Sequence, residues 1–352
     1  MSPWPKRLVR PPRLRTGDRL AVVSQSFGGP GAHPRRYALG RRVIEERLGL
    51  EVVAMPHALA NPEWIARNPR ARAEDLEAAF RDPSVRAVIA SIGGDDSIRL
   101  IPHLDLQAIA DNPKIFLGYS DATTIHFACM KAGVTSFYGP AVMAGFAENV
   151  EPFAYTLDAV RRTLFETEPV GRIEPNRDGW TDELLDWKDP SLDDRRRRLT
   201  PSSGPRTLQG GGVARGPLIG GCADVIDMLR GSPWWPPLDA WRGAILFYET
   251  SEEAPEPAQV TRRLRNLAAH GILQVLAGII VGRPGGEIDP AHHADYDAAI
   301  VHALDEADLL DLPVLAGMDF GHTDPMFTLP SGVIAEIDCA TASLTLTESG
   351  VS

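Results

Sequence analysis

Between residues 19 and 145, short runs of β-branched and apolar residues alternate with longer stretches whose apolar positions recur at helical spacing. That alternation is the pattern of β/α units wrapped around a largely parallel sheet. The predicted strands are RLAVVSQS, EVVAMP, AVIASIG, KIFLGYS and TSFYG, with helical spacing over Ala71 to Phe80, over Ser97 to Ile109 and in ATTIHFACMKAG. From about Glu166 to Gly212 the periodicity dissolves into Pro, Asp, Arg and Gly around Trp180 and Trp187, as in a linker or a functional loop. The second half resumes with a helix at Ala223 to Arg230, the strand GAILFYE, a helix at Ala258 to His270, the strand LAGIIVG and a helix opened by Asp289-Pro290. It ends in VIAEIDCATASLTLTES, whose alternation predicts a hairpin. The expected organisation is an α/β protein with an N-terminal domain over 1–165, a linker or active-site loop over 166–212 and a C-terminal mixed α/β domain over 213–352.

The length of 352 residues fits two domains, and a hydrophobic content of 43% suffices for their cores. No apolar run approaches the roughly 20 residues of a membrane span. The start, MSPWPKRLVRPPRLRTGD, is basic and broken by proline, unlike a secretory signal, so a cytoplasmic protein is expected. The net charge of −11 argues against a general nucleic-acid binder. The basic run Arg195 to Arg198 follows acidic residues and is expected to be solvated. Cys129, Cys222 and Cys339 lie far apart in apolar or small-residue surroundings, which suits buried thiols.

Candidate chemistry begins at KIFLGYSDAT, where an apolar strand ends on Ser120, two residues after a glycine. A serine at a tight strand-to-helix turn holds its hydroxyl clear of the sheet, beside the free N–H groups of the following helix. The alternative is that Ser120 or Asp121 caps that helix. A serine nucleophile needs a base and a group to orient it. Of the nine histidines, His322 stands out: it follows a glycine in the polar loop FGHTDPMFTLPSG, from which an imidazole can project into a cleft. The adjacent His292 and His293 point in different directions on a helix and suggest no metal site. Glu249 ends the buried strand AILFYE, so its carboxylate needs a partner, whether in a catalytic site or in a salt bridge; Glu252 and Glu253, farther into the loop, are expected to be solvated. Gly93-Gly94 allows close backbone approach and offers an oxyanion donor beside the N–H of Asp121, or else forms a plain strand-end turn. FGGPGAH lacks the spacing of a dinucleotide loop.

Several blocks occurring in order, GDRLAVVSQS, SIGGDDSIRLIPHLD, NPKIFLGYSDATTIHF, TSFYGPAV, PLIGGCADVIDMLRGSPWWP, ILFYETSEE, QVTRRLRNLAAHGIL, GIIVGRP and FGHTDPMFTLPSG, resemble the serine LD-carboxypeptidases. These include murein tetrapeptide carboxypeptidases and microcin C immunity peptidases. The resemblance implies Ser120 as nucleophile, His322 as general base and Glu249 as its orienting acid, with an oxyanion hole from the N–H of Asp121 and one from Gly93-Gly94. It also implies an N-terminal α/β sheet domain, a C-terminal domain with partly barrel-like β structure, a homodimer, and a site between the domains that needs no metal or organic cofactor. The tryptophan loop and GSPWWPP look closer to the microcin immunity branch, in which loop aromatics such as Trp180 and Trp187 would stack on a nucleotide-like portion unless they anchor the loop itself. Cys222 stands where that branch usually carries asparagine. Arg262 is a candidate partner for a substrate carboxylate, or else a structural ion-pair residue. The implied substrate is a small peptide or peptidyl nucleotide, with a murein tetrapeptide as the alternative; a non-catalytic binding protein that kept the fold is the third reading.

Overall fold

The computed structural model describes Trp4, Pro5 and residues 7–352; the first three positions of the basic start and position 6 lie outside the described residues. The strands β1 (Arg19–Val23), β2 (Glu51–Ala54), β3 (Val85–Ala90), β4 (Ile115–Gly118) and β5 (Phe137–Tyr138) form the predicted parallel sheet in the order 2-1-3-4-5. Apart from the outermost strand β2, they read as nearly unbroken apolar runs because helices cover both faces: Ala21, Val22, Val23, Val88, Ile89 and Phe116 are all fully buried. The strand order reverses between β1 and β3, and sheets of this kind bind ligands beyond the carboxyl ends of the strands near such a reversal. Gly93-Gly94 follows β3 and Ser120 follows β4 at that edge.

The second sheet uses β6 (Gly171–Arg172), β7 (Arg206–Gln209), β8 (Val213–Cys222), β9 (Ile245–Glu249), β10 (Gly278–Gly282) and β11 (Val314–Met318). It is completed by β13 (Ile334–Asp338) and β14 (Ser343–Leu346), which form the expected antiparallel hairpin. The order is 6-14-13-8-9-10-11-7, with β8 to β11 parallel at its centre. The short β12 (Leu329–Pro330) leaves the second half of the chain and pairs antiparallel with β5, stitching the sheets together. The fold is thus mixed α/β with two sheets. Among the described residues, no helix is long and apolar enough to cross a membrane.

Two local expectations change. The helical spacing over Ser97 to Ile109 resolves into a single tight turn at Ser97–Leu100 and a short helix at Leu106–Asp111. Pro102 lies between them, and a proline disfavours helical backbone in the residue before it. The tract 166–212 contributes β6 and β7 to opposite edges of the second sheet. Their pairing with β14 and β11 supplies the order that no periodicity announced.

Candidate active site

Ser120 opens the tight turn Ser120–Ala122 that leads into the helix Thr123–Ala132. Its φ is +61°, a left-handed conformation that for a residue with a Cβ costs on the order of 1–3 kcal/mol and persists only when its surroundings impose it. Here they do: the Ser120 N–H donates to the Tyr138 hydroxyl at 3.1 Å, and the Thr123 hydroxyl donates to the Ser120 carbonyl at 2.7 Å. No side chain caps the helix, so capping does not account for Ser120. The Asp121 carboxylate faces away from the cleft, accepting from the Ser26 hydroxyl at 2.5 Å and from the Asp96 and Ser97 N–H groups at 2.9 and 2.7 Å. It fixes the loop that carries Gly93 and Gly94. A Cβ on Gly93 would lie 2.8 Å from both Cβ and Oγ of Ser120, and one on Gly94 would lie 2.3 Å from the Ser26 hydroxyl. Both glycines are therefore required by close approach.

Glu249 ends β9 fully buried, opposite Cys222 at the end of β8. One carboxylate oxygen accepts from the Tyr138 hydroxyl, and the other is 2.7 Å from Nδ1 of His322. A Cβ at Gly321 would strike Glu249 Oε2 at 2.7 Å, and one at Gly285 would strike the His322 Cβ at 2.6 Å, so glycines on both sides let imidazole and carboxylate meet. Burial disfavours the imidazolium, but Glu249 and Glu252 outweigh it and raise the His322 pKa to about 10. Ser120, His322, Gly93, Gly94 and Trp187 line one cleft of about 290 Å³.

Nε2, the nitrogen a serine would use, has no hydrogen-bond partner. The Glu252 carboxylate stands 2.8 Å from it without hydrogen-bond geometry, as an ion pair, and the contact pulls the Glu252 pKa down to about 2. Glu252, expected to be solvated, is thus half-exposed and turned onto the imidazole. Its loop packs on the turn at Gly286, where a Cβ would come within 2.6 Å of the Glu252 carbonyl oxygen.

Trp187 lies on the cleft wall with the Arg36 guanidinium 4.9 Å from its ring centre. Trp180 does not: it is 4% exposed, paired through its backbone with Thr200, and tilted against His293. Arg262 is exposed on the helix Pro257–Ala269 and does not line the cleft; its neighbour Arg263 takes the ion pair, with Asp224 at 2.5 Å. In the basic run, the exposed Arg195, Arg196 and Arg198 pair with nearby acids, whereas Arg197 is largely buried between Glu148 and Asp324. Two carboxylates give that guanidinium a reason to leave water. Cys222 Sγ, a Glu249 oxygen and a His322 ring nitrogen lie within 4.8 Å of one another. Burial pushes the Cys222 thiol well up, and the other two side chains already engage each other, so the trio is a packed wall behind the imidazole.

The chain matches the LD-carboxypeptidase N-terminal domain over residues 20–139 and the LD-carboxypeptidase C-terminal domain over residues 215–337. It belongs to the LD-carboxypeptidase family. Among the relatives of this LD-carboxypeptidase chain is the Microcin C7 self-immunity protein MccF of Escherichia coli, 28% identical over 96% of each chain. Another is a Bacillus subtilis protein named Probable murein peptide carboxypeptidase, 28% identical over 97% of this chain and 95% of the relative. The fold superposes on an MccF-like protein from Streptococcus pneumoniae in complex with AMP, with a TM-score of 0.85 and 31% identity over 94% of this chain and 98% of that one. It matches MccF in complex with aspartyl sulfamoyl adenosine equally well, with a TM-score of 0.85 and 27% identity over 98% of this chain and 100% of that one.

Tyr138 and Arg36 carry no functional sign in the sequence, and Glu252 reads there as a solvated acid. Tyr138 sits in an apolar strand whose alternation accounts for it without a function, and Arg36 sits in an ordinary helix start.

Proposed function

We propose that this chain is a serine peptidase that cleaves an amide in a peptidyl or aminoacyl nucleotide. Ser120 is the nucleophile, His322 its general base and Glu249 the residue that orients the imidazole. The observation that carries the reading is the 2.7 Å contact between Glu249 and Nδ1 of His322, which opens on the same cleft as a serine held at positive φ. With Nδ1–H donated to Glu249, Nε2 of the neutral imidazole is the nitrogen left to take a proton from Ser120. The serine oxygen then bonds to the carbonyl carbon, and the oxyanion meets backbone N–H groups at Asp121 and Gly93-Gly94. The imidazolium returns the proton to the departing nitrogen, and water hydrolyses the acyl-enzyme by the same route.

The nucleotide preference is supported by Trp187 on the cleft wall with Arg36 against its ring, an aromatic surface beside a cation. It is supported too by the AMP and aminoacyl sulfamoyl nucleoside complexes of the similar structures. Purified protein incubated with an aminoacyl sulfamoyl adenosine and, separately, with a murein tetrapeptide, followed by mass spectrometry of the products, tests the reading. Cleavage of the nucleotide compound, abolished in Ser120→Ala, is expected. Cleavage of the tetrapeptide alone would reject the nucleotide branch, and turnover by Ser120→Ala would reject the nucleophile.

A further inference from the structure

The base of this site is occupied. Nε2 of His322, which must come within about 3 Å of the Ser120 hydroxyl to act, is instead 2.8 Å from the Glu252 carboxylate. Glu252 differs from other acids around the cleft in what neutralises it. Glu183 pairs with Arg195 and Arg198, and Asp324 with Arg197. The Asp182 carboxylate accepts the Glu287 N–H at 2.7 Å, and burial raises its pKa. Among the described residues, Glu252 meets no lysine or arginine, only the imidazole. Its side chain is 53% exposed while its backbone is wedged against Gly286, so the carboxylate can turn without moving the loop.

We propose that Glu252 is a specificity-determining residue: its carboxylate binds a primary ammonium group beside the scissile carbonyl of the substrate and, in turning to it, releases Nε2 of His322 to Ser120. The inference rests on the serine-peptidase reading above. Its geometry is simple. A carboxylate and a hydroxyl that share one nitrogen lie within about 6 Å of each other, so Glu252 lies near the attacked carbon. The α-amino nitrogen of the attacked residue stands about 2.5 Å from its own carbonyl carbon, and a lysyl ammonium stands a few ångströms farther. Either one fits. The exchange replaces one ion pair with another, so the carboxylate is never left without a partner in a half-enclosed cleft. When Glu252 leaves, the proton on Nε2 passes to cleft water, and the neutral imidazole is then free to accept the proton of Ser120 while the serine oxygen bonds to the carbonyl carbon. A substrate without the ammonium leaves the base paired and protonated. The groups facing the imidazole are Glu249 from β9, Glu252 from the loop after it, Tyr119 with ring centres 5.0 Å apart, and the Cys222 thiol from β8; Tyr138 reaches it through Glu249. Of these, Glu252 alone is exposed and able to withdraw; the others are buried.

The test compares lysyl sulfamoyl adenosine with its Nα-acetyl, Nε-acetyl and diacetyl forms, in wild type, Glu252→Gln and the neighbouring exposed control Glu253→Gln. Wild type and Glu253→Gln should prefer an ammonium-bearing compound over the diacetyl form by at least about tenfold in kcat/KM, the worth of one charge-assisted contact. The mono-acetyl forms tell which nitrogen is read. In Glu252→Gln the preference should vanish, and the acid limb of the pH profile should move down by about one unit, because the imidazole has lost an opposing charge. An unchanged preference in Glu252→Gln, or indifference of the wild type to acetylation, overturns the proposal. If the wild type cleaves none of the four compounds, the reading as a nucleotide peptidase has failed. Calorimetry on Ser120→Ala with and without Glu252→Gln then decides the inference alone: a tenfold loss of affinity for the ammonium-bearing ligand sustains it, and equal affinity overturns it.

Discussion

Tyr138→Phe removes a single oxygen from the centre of the site, and the structure states what that oxygen does. It accepts the Ser120 N–H at 3.1 Å and donates to the Glu249 carboxylate, so it joins the strained turn of one sheet to the strand end of the other. The residue is 1% exposed and Glu249 is fully buried, so no bulk water replaces the lost partner. An orphaned amide in such surroundings costs about 1 kcal/mol or more, and a carboxylate losing a donor about 1.5–3 kcal/mol. The ring itself stays, packed 5.4 Å from Phe247 and 5.5 Å from His126 between ring centres, so little packing is lost. The sum is a destabilisation of about 3 kcal/mol, read as a lowered midpoint with unchanged slope in guanidinium unfolding. Catalysis should suffer as well: with one oxygen freed, Glu249 no longer holds the imidazole in one orientation, and kcat should fall by roughly tenfold to a hundredfold. A variant within about 0.5 kcal/mol of wild type, with kcat changed less than about threefold, would show that the hydroxyl does not bridge the two sheets and that the position of Ser120 is set elsewhere.

Gly93→Ala would set a methyl group 2.8 Å from the Ser120 Cβ and Oγ; kcat should drop by about a hundredfold with the fold intact by near-ultraviolet circular dichroism. Trp187→Ala should raise KM for an aminoacyl sulfamoyl adenosine by about tenfold, the loss of one stacked base, while kcat changes little. His126 is buried, its Nε2 2.9 Å from the Gly118 carbonyl and its Nδ1 2.8 Å from the Ser136 hydroxyl, and burial lowers its pKa to about 4. The unfolded chain binds that proton near pH 6.5, so stability should be complete above 6.5 and decline as pH falls toward 4, by up to roughly 3 kcal/mol. Guanidinium unfolding at pH 7 and 4.5 measures the decline, which His126→Gln should reduce.

The core strands were legible in the sequence because each announces itself locally, whereas Ser120, Glu249 and His322 were each only a candidate until the family resemblance drew them together. A strand buried on both faces shows as an apolar run, and Ser120 and Glu249 at the ends of such runs and His322 after a glycine in a polar loop stand out as candidates, the first two with a helix cap or a salt bridge as the plain alternative. Glu252 gives no such sign. An acid in the loop TSEEAPEP resembles any solvated acid until the fold packs that loop on Gly286 and sets the Glu252 carboxylate 2.8 Å from His322. Trp180 and Trp187 show the converse. They lie in one polar tract with equal claims to a binding role, yet the bridge to Thr200 turns the first into the protein and the second faces the cleft. Arg197 is set apart from its three arginine neighbours only by Glu148 and Asp324, which are 49 and 127 residues distant along the chain. What is decided by contacts of long sequence separation leaves no local pattern to read.

The division of the site between two sheets also fixes where its precision comes from. Neither core alone sets the distance between Ser120 and His322; the ties across the seam do. Thr123 is the clearest of them, since its hydroxyl donates to the Ser120 carbonyl at 2.7 Å and accepts the Cys222 N–H at 3.0 Å, joining the Ser120 turn to the end of β8. Its place depends on Gly221, where a Cβ would come within 2.5 Å of that hydroxyl. The pairing of β12 with β5 closes the seam farther out, and reciprocal backbone bonds of Thr181 and Asp324, both 2.8 Å, hold the 166–212 tract to the loop that leads into β12. Apart from the Tyr138 hydroxyl, whose loss leaves a buried carboxylate short of a donor, each tie contributes little to global stability, since a net hydrogen bond is worth about 1 kcal/mol. A displacement of about 1 Å at the reacting atoms, however, costs on the order of a hundredfold in rate. Substitutions along the seam should therefore separate activity from stability, lowering kcat steeply in proteins that still fold, whereas substitutions within either core, such as at Val22 or Phe247, should lower both together.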